Sequence, residues 1–409
     1  MLAVLAFTAC SNDSDEATGN DNHIWHVSLT ASMGDATNRA LSAVGENIAA
    51  SFAVDDEVVV VDADGSTVVG TLKALTAGGS TTLSGELSNT SLAADEVVSL
   101  HYLSATPNYD GQKGTLEEIS SYAVGTLKVK TKSPLAFESN SVTLAPQQSI
   151  TKFTFKDGSS DISVKTFGIA APGLVQKGTA TVGAVTGTLA TPSADVYVAL
   201  RNTSSSQQTY SFYIQDNTGN WYTGTKKATL TNGKNYTATV SLTKLANLTS
   251  PYTEGTVGVI DGLPAIVISG NKAVALMNVG ALCPEHYGKY YTFAGLSSLG
   301  LPTGWYVPSK DEFDVLVGKT NTWGAPNGVS GSTFTIGSEK LFLPIAGFYD
   351  NNSTPTLLND TWGYYWSSTS TTTEGYAYSL QFNGVITSSS LNSSEKTDGL
   401  TVRPFHSLP

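Results

Sequence analysis

Asp311 and Glu312 are adjacent carboxylates in the stretch GWYVPSKDEFDVLV, close to two aromatic residues. Carboxylates beside aromatic rings are typical of acid/base chemistry on sugars, but a glycosidase pair faces across the sugar, roughly 5–10 Å apart. Neighbouring residues of a helix point about 100° apart, which does not fit that geometry. The S-x-x-E spacing of Ser309 and Glu312 instead predicts a capping box, followed by apolar residues at helical spacing. We therefore expect this stretch to begin a packing helix.

Other catalytic patterns are missing from the sequence. None of the five histidines lies in an H-E-x-x-H setting, and no serine lies in G-x-S-x-G. Because only two cysteines occur, Cys10 and Cys283, no disulfide framework is expected, and Cys283 is predicted to be a small core residue. His406 is expected to be solvated. The sequence thus predicts no enzyme and no cofactor.

The elements that position these residues are predicted to be mainly strands. The chain of 409 residues contains 39 glycines and only 14% charged residues, and short runs rich in Val, Thr, Tyr and Ile alternate with polar turns. This composition is typical of stacked β domains, and the length suffices for two or three of them. A net charge of −12 argues against a nucleic-acid partner. One short helix is also expected within residues 114–122.

The N-terminus has the composition of a bacterial lipoprotein signal. The apolar run MLAVLAFTAC ends in a small residue and Cys10, and the polar segment 11–23 follows it. The usual positive n-region is missing, so a random apolar N-terminus is the alternative. If the signal is real, residues 1–10 end in a lipidated Cys10 that anchors the chain to a membrane, and residues 11–23 form a solvated tether.

The rest of the chain divides into three predicted regions. Alternating strands indicate a first β domain at residues 24–145, which begins with the strand HVSLT at 26–30 and includes a hairpin with its turn at 62–65. A second β domain is expected at 146–246, whose Asn-Gly and Asp-Gly type turns are typical of a sandwich. Residues 247–255, NLTSPYTEG, are predicted to be a linker. The third domain is expected at 256–409.

The first two regions resemble the fimbrillin-type pilins and fimbrillin-like lipoproteins of Bacteroidales. The resemblance rests on the lipoprotein signal that ends in FTAC at 7–10 and on NRA at 38–40 before FAVDDE at 52–57. It also rests on YDGQKGTL at 109–116 and PQQSITKFTF at 146–155. It implies two fimbrillin-like β-sandwich domains that join other pilin subunits by strand addition. In such pilins trypsin-like cleavage releases the first strand, so Arg39 and Ala40 are the expected processing site. The alternative is that Arg39 is an ordinary surface residue.

The third region resembles a bacterial paralogous domain of C-type-lectin-like fold. The resemblance rests on five motifs in order: NVGALCPEHYGKYYTF, LPTGWYVPSKDEFDVL, LFLPIAGFYD, GYYWSSTS and GLTVRPF. It implies a mainly β protein that ends in an α+β domain, with Trp305 and Trp366 in its core. Lectins of this fold present Trp-Asn-Asp where this chain has Trp366 followed by two serines. Two oxygen ligands are therefore missing, and no bound metal is expected.

Two loops of the third region are candidates for ligand contact. Aromatic faces beside amides and carboxylates suit a sugar or a protein epitope. The alternative is that they are ordinary loop residues, with both tryptophans tucked in. The candidate residues are Trp323, Asn327, Asp350, Asn351, Asn352, Asn359, Asp360 and Trp362.

The two resemblances together imply a pilus tip or accessory adhesin subunit at the cell surface, with a host, glycan or bacterial ligand. Because the lectin-like motifs extend to residues 399–405, no alternating segment is left to donate, and a subunit that only accepts a strand belongs at the fibre tip. One alternative is a monomeric outer-membrane lipoprotein that binds glycan. Another is an enzyme of the formylglycine-generating type, but that chemistry needs several reactive cysteines and Cys283 is alone in its domain.

Overall fold

The fold is described by a computed structural model. It describes residues 24–34, 42–44, 47–49, 51–88, 92–178, 183–350, 356–358, 361–386 and 390–409. Strands dominate the described part of the chain, as the composition predicts. They pack around three large apolar clusters, and we call the corresponding regions the first, second and third domains. None of the helices found in these residues has the length and apolarity needed to cross a membrane.

The first domain is a single curled sheet that closes on itself. Its sheet order is β10-β1-β6-β5-β4-β7-β8-β9, and β8 also pairs with β10, so seven strands form a barrel around one apolar core. The short hairpin of β2 and β3 lies outside this sheet. The strands are β1 Ile24–Met33, β2 Ser42–Val44, β3 Asn47–Ala49, β4 Glu57–Val61, β5 Val68–Ala74, β6 Ser80–Ser88, β7 Val97–Tyr102, β8 Ala123–Thr131, β9 Ala136–Phe137 and β10 Ser141–Pro146.

The second domain is a sandwich of two strand layers. One layer has the order β14-β16-β11-β19 and the other β18-β17-β13-β15, and β18 meets β19 where the layers join. Phe153 and Phe155 of one layer contact Phe212 of the other, with ring centroids 5.3 and 5.5 Å apart. The strands are β11 Ser149–Asp157, β12 Ser160–Asp161, β13 Val164–Ala170, β14 Leu174–Val175, β15 Ala184–Ser193, β16 Asp195–Asn202, β17 Gln208–Asp216, β18 Trp221–Ala228 and β19 Asn235–Lys244.

The helix predicted within residues 114–122 is wrong, because this segment consists of turns. Gly114 has a φ of +78°, outside the helical region, and its carbonyl accepts a hydrogen bond from the Tyr197 backbone N–H at 2.9 Å. Leu116 and Ile119 are buried in the core of the second domain. The loop between β7 and β8 thus leaves the barrel and packs on the neighbouring domain.

In the described residues the third domain has one five-stranded sheet, two three-stranded sheets, a short hairpin, one α-helix and two 3₁₀ helices, Ala294–Ser298 and Pro326–Gly328. The five-stranded sheet, in the order β20-β21-β22-β32-β23, joins the first strands of the domain to its last strand. The elements are β20 Val257–Ile260, β21 Leu263–Ser269, β22 Lys272–Ala275, β23 Trp305–Tyr306, α1 Lys310–Val317, β24 Asn321–Gly324, β25 Gly331–Ile336, β26 Glu339–Pro344, β27 Phe348–Asp350, β28 Thr356–Leu358, β29 Gly363–Ser370, β30 Tyr376–Phe382, β31 Leu391–Glu395 and β32 Phe405–Ser407.

A buried arginine ties the last strand to the rest of the third domain. Arg403 is completely buried, and its guanidinium donates to the Asn278 side chain at 2.8 Å and to the carbonyls of Leu276 and Ala275 at 2.6 and 3.1 Å. Burial lowers its pKa to about 10, so it remains a cation at neutral pH. A buried cation needs such a cage of acceptors, which fixes the segment that it contacts.

The prediction that His406 is solvated is wrong. Only 7% of this residue is exposed, since it lies in β32 between the edge of Trp305 and the chain at Gly304. Its Nε2 lies 2.8 Å from Asp261 Oδ2. Position in the central sheet, rather than residue type, decides its burial.

Candidate functional site

β1 is an interior strand of the barrel in the first domain. Residues 24–32 pair antiparallel with β6, and residues 30–33 pair parallel with β10. Trp25, Val27, Leu29 and Ala31 point inward and are buried, whereas the residues between them are exposed. Among the described pairings β6 and β10 meet only through β1, so this strand closes the barrel.

The predicted processing residues Cys10, Arg39 and Ala40 lie outside the described residues. β1 ends at Met33, and the next described strand, β2, begins at Ser42. The connection between β1 and the rest of the chain therefore contains Arg39.

Glu312 of the opening stretch has a structural role. The Ser309 side chain accepts from the Glu312 backbone N–H, and the Glu312 side chain accepts from the Ser309 N–H at 2.8 Å, so the predicted capping box is confirmed. Glu312 Oε1 also accepts from Lys272 Nζ at 2.6 Å and from Tyr306 OH at 2.7 Å. Burial opposes ionisation of Glu312, but these donors hold its pKa below the usual value. Asp311 is exposed and belongs to no such network.

Trp305 and Trp366 are core residues, as predicted. Trp305 Nε1 donates to the Ile260 carbonyl at 3.0 Å, and Trp366 Nε1 donates to the Tyr291 carbonyl at 2.6 Å. Ser367, next to Trp366, is fully buried. Over the described parts of the chain, no group of three or more His, Cys, Asp or Glu residues could hold a metal ion.

Trp323 and Asn327, from the first candidate loop, have different surroundings. Trp323 lies in β24 and is 39% exposed. Asn327 has a φ of +52°, and its Nδ2 donates to the buried Glu285 Oε1 at 2.5 Å. A Cβ on Gly183 would lie 2.4 Å from the Asn327 carbonyl, so this loop packs tightly on the second domain. The Asn327 amide nitrogen is therefore already hydrogen-bonded within this chain.

Asp350 and Trp362 flank the hairpin of β27 and β28. Asp350 ends β27 and is half-buried, and the Trp362 carbonyl accepts from the Gly347 N–H at 2.8 Å. The rings of Trp362, Tyr364 and Phe348 form an aromatic row. The ring centroids of Trp362 and Tyr364 are 6.3 Å apart, and those of Tyr364 and Phe348 are 4.8 Å apart. The other four candidates of this loop, Asn351, Asn352, Asn359 and Asp360, lie outside the described residues.

The third domain contacts both the second domain and the β7–β8 loop of the first domain, which no sequence motif indicated. His286 Nε2 lies 3.0 Å from Asp110 Oδ2, and Asp110 Oδ1 accepts from the Thr186 N–H and hydroxyl at 2.8 and 2.7 Å. Burial opposes ionisation of Asp110, but His286 and Thr186 hold its pKa below the usual value. A Cβ on Gly168 would lie 2.3 Å from the Leu282 carbonyl, so only glycine permits this approach of the two backbones.

A cavity of about 320 Å³ lies where Trp221 of the second domain meets the third domain. Leucine, proline and methionine form much of its wall. Asn278 lies in this wall, but its Nδ2 donates to the Tyr287 carbonyl and its Oδ1 accepts from Arg403. The Asn278 amide is therefore already paired within the protein.

A groove of about 560 Å³ lies on the third domain. Its walls come from three segments that are far apart in sequence, so no local pattern could have predicted it. We call it the tyrosine groove and define it by Lys289, Tyr290, Thr292, Tyr349, Thr397 and Gly399.

A family model described as a domain of unknown function (DUF8237) matches residues 332–405, within the third domain. A search of curated proteins finds no match.

Solved structures to which the chain is similar include fimbrial proteins of Bacteroidales. A fimbrial assembly protein from Parabacteroides distasonis is 13% identical, with a TM-score of 0.28, and the match covers 53% of this chain and 91% of that one. The tip fimbrial protein Mfa3 from Porphyromonas gingivalis, with C-terminal truncation, is 11% identical, with a TM-score of 0.25, and the match covers 49% of this chain and 81% of that one. TM-scores this low do not carry function from one chain to another.

Proposed function

We propose that this protein is an adhesin subunit of a bacterial surface fibre, in which β1 is exchanged for a strand of a neighbouring subunit. The position of β1 is the observation that supports this most directly. It is an interior strand, it closes the barrel, and it precedes every other described element. Cleavage of the connection after β1 therefore leaves the remaining barrel strands covalently continuous.

Loss of β1 would leave a groove that requires a new strand. It would expose the core side chains that Trp25, Val27 and Leu29 now cover, at a cost of roughly 5–9 kcal/mol for three large apolar residues. It would also leave the facing edges of β6 and β10 without backbone partners. A donated strand with alternating apolar residues would restore both the core and the hydrogen bonds.

Cleavage after Arg39 would release β1 and leave Ala40 as the new first residue. We include lipidation at Cys10 in this proposal, since an acylated N-terminus would hold the uncleaved subunit at the outer membrane. In this scheme the lipid anchor and β1 leave together, which frees the subunit for assembly. The protein is then a cell-surface protein before and after processing.

The third domain would be the ligand-contacting part at the fibre tip. Its contacts with the rest of the chain, at Gly168 of the second domain and at Asp110 of the β7–β8 loop, support presentation in a fixed orientation. Its strand β32 lies between β22 and β23 and is committed to that sheet. These features support a role in contact rather than in strand donation. The partners are other subunits and a surface ligand, and the proposal includes no catalytic step.

An arginine-specific protease tests the proposal on the full-length protein. Wild type and Arg39→Gln would be digested under native conditions, then followed by N-terminal sequencing and size-exclusion chromatography. We expect wild type to begin at Ala40 and to bind an added peptide with the sequence of residues 24–33, and Arg39→Gln to do neither. Arg403 is an internal control because it is buried.

Two results would contradict parts of the proposal. If cleaved protein neither loses residues before Ala40 nor accepts the peptide, strand exchange is wrong and the monomeric glycan-binding lipoprotein is favoured. Immunogold labelling of native cells with antibody to residues 256–409 tests position. Label along the fibre shaft would rule out the tip.

A further inference from the structure

We propose that the tyrosine groove binds the non-reducing end of an uncharged glycan, with the faces of Tyr290 and Tyr349 stacking against the sugar. This deepens the proposed function and rests on it in one respect, the assignment of ligand contact to the third domain. It does not depend on strand exchange. All of the groove residues belong to the described chain, and only the neighbouring Asp350 was among the candidates predicted from sequence.

The two tyrosines form a rigid aromatic corner. Their ring centroids are 4.7 Å apart and the rings are nearly perpendicular, at 82°. The Tyr290 hydroxyl donates to the Ala346 carbonyl, which fixes that ring. The Tyr349 backbone exchanges two hydrogen bonds with Gly399, at 2.9 and 2.8 Å. Because the Tyr290 ring and the Tyr349 backbone are already held in place, stacking on the C–H face of a pyranose costs little additional side-chain entropy.

Gly399 keeps the floor of the groove open. A Cβ at this position would lie 3.3 Å from the Tyr349 Cβ and 3.5 Å from the Tyr290 Cβ. These contacts are tight but leave the backbone unstrained, since the φ of Gly399 is not in the left-handed region. Any larger side chain would therefore occupy the space between the two rings.

The rim of the groove carries groups that suit sugar hydroxyls. Lys289 and Thr397 are exposed and Thr292 is half-buried. Among the described residues the Lys289 ammonium has no hydrogen-bond or ion-pair partner. It can thus donate to ring or hydroxyl oxygens, and the Thr397 hydroxyl can both donate and accept. The Thr292 hydroxyl accepts from the Gly295 N–H at 3.3 Å and can still donate its own proton.

The charges around the groove favour an uncharged sugar over an acidic one. Asp398 follows the rim residue Thr397, and its pKa is raised to about 6 by burial and by the neighbouring Glu395 and Asp350. With this pKa, the Asp398 carboxylate is mostly ionised at neutral pH. Lys396 does not offset this charge at the rim, because its ammonium lies 5.1 Å from the Phe293 ring. The Asp398 carboxylate, with Glu395 and Asp350 close to it, would repel a sialic or uronic acid.

The test begins with the full-length protein on an array of neutral and sialylated oligosaccharides. The strongest neutral binder would then be titrated calorimetrically against wild type and four variants. Tyr349→Ala removes one stacking face, Gly399→Val fills the corner, and Thr397→Ala removes a rim hydroxyl. Thr372→Ala, an exposed threonine between β29 and β30, is the matched control.

We expect affinity to fall by about tenfold or more for Tyr349→Ala and Gly399→Val, and by a few-fold, about 2 to 10, for Thr397→Ala. Thr372→Ala should bind like wild type. Thermal melts identify any variant that fails to fold. Thr397→Ala keeps the test decisive in that case, because its side chain is on the surface.

Three outcomes would overturn the proposal. They are no binding to any neutral glycan, binding only to sialylated glycans, and binding that the groove variants leave unchanged. The last outcome would place the ligand elsewhere on the protein and leave the adhesin role intact. Failure of the peptide-exchange experiment would instead contradict fibre assembly and leave the groove untouched.

Discussion

Replacement of Leu29 by alanine is expected to weaken the hold of the barrel on β1. Leu29 is 4% exposed and lies in the core of the first domain, with Val27 and Ala31 on the same face of the strand. A buried Leu→Ala change costs about 2–5 kcal/mol, from lost transfer free energy and the cavity that remains. In the uncleaved protein this lowers the free energy of unfolding of the first domain by that amount, measurable by urea denaturation.

The effect becomes a binding effect once the chain is cut after Arg39. β1 is then held without a covalent link, and each 1.4 kcal/mol corresponds to about a tenfold change in its dissociation constant. The same 2–5 kcal/mol therefore predicts that β1 dissociates about 30-fold to several thousand-fold more readily. Native mass spectrometry after dilution measures the fraction of cleaved protein that retains the fragment.

Ser28→Ala is the matched control, since Ser28 is the neighbouring residue of the same strand and points outward. It should leave both the unfolding free energy and the retained fraction close to wild type. Equal effects of the two substitutions would refute the inward–outward assignment of β1. An unchanged retained fraction for Leu29→Ala would refute the argument that core packing holds this strand.

Three further predictions concern the third domain and its contact with Asp110. Ser309→Ala removes the cap of α1 and should lower the unfolding free energy by about 1 kcal/mol in urea denaturation; an unchanged midpoint would contradict the role of the cap. Asp110→Ala leaves His286 without its carboxylate partner and should cost about 1–3 kcal/mol and speed hydrogen exchange of residues 283–288; unaltered exchange there would contradict the contact. Asp398→Asn should stabilise the protein at pH 7 by about 1 kcal/mol, because the ionised carboxylate is disfavoured in the folded state and partly screened by solvent. The folded pKa of Asp398 is raised from 3.8 to about 6, so its stabilising contribution is present below pH 3.8 and is lost as the pH rises through about 6. The melting temperatures of the two proteins should therefore converge toward acid pH. A difference in melting temperature that stays constant with pH would contradict the raised pKa.

Features that depend on near neighbours in sequence could be predicted. The capping box of Ser309 and Glu312 needs only four consecutive residues, and it is present with both reciprocal hydrogen bonds. The hairpin of β4 and β5 follows from the turn before Gly65, whose φ of +74° suits glycine. The alternation of β1 predicted a strand with one buried face, and the structure has it.

Burial of the motif tryptophans was also predictable, but the partners that bury them were not. Trp366 was assigned to the core because it lies in a recurring motif, whereas its acceptor, the Tyr291 carbonyl, lies 75 residues away. The burial of His406 was not predicted, because nothing near it in sequence indicates that it contacts Asp261 and Trp305. Asn327 was a candidate for ligand contact, and only the fold shows that its amide reaches Glu285.

The sequence by itself determined that this is a mainly β protein with an apolar-faced first strand and one capped helix, because periodicity, turn residues and caps act over a few residues. Only the tertiary structure decided that β1 lies between β6 and β10, that residues 109–119 pack on the second domain, and that Tyr290, Tyr349 and Gly399 meet in one groove. These contacts join residues tens to more than a hundred positions apart. Their formation depends on which buried surfaces fit together, and local propensity contains no information about that fit.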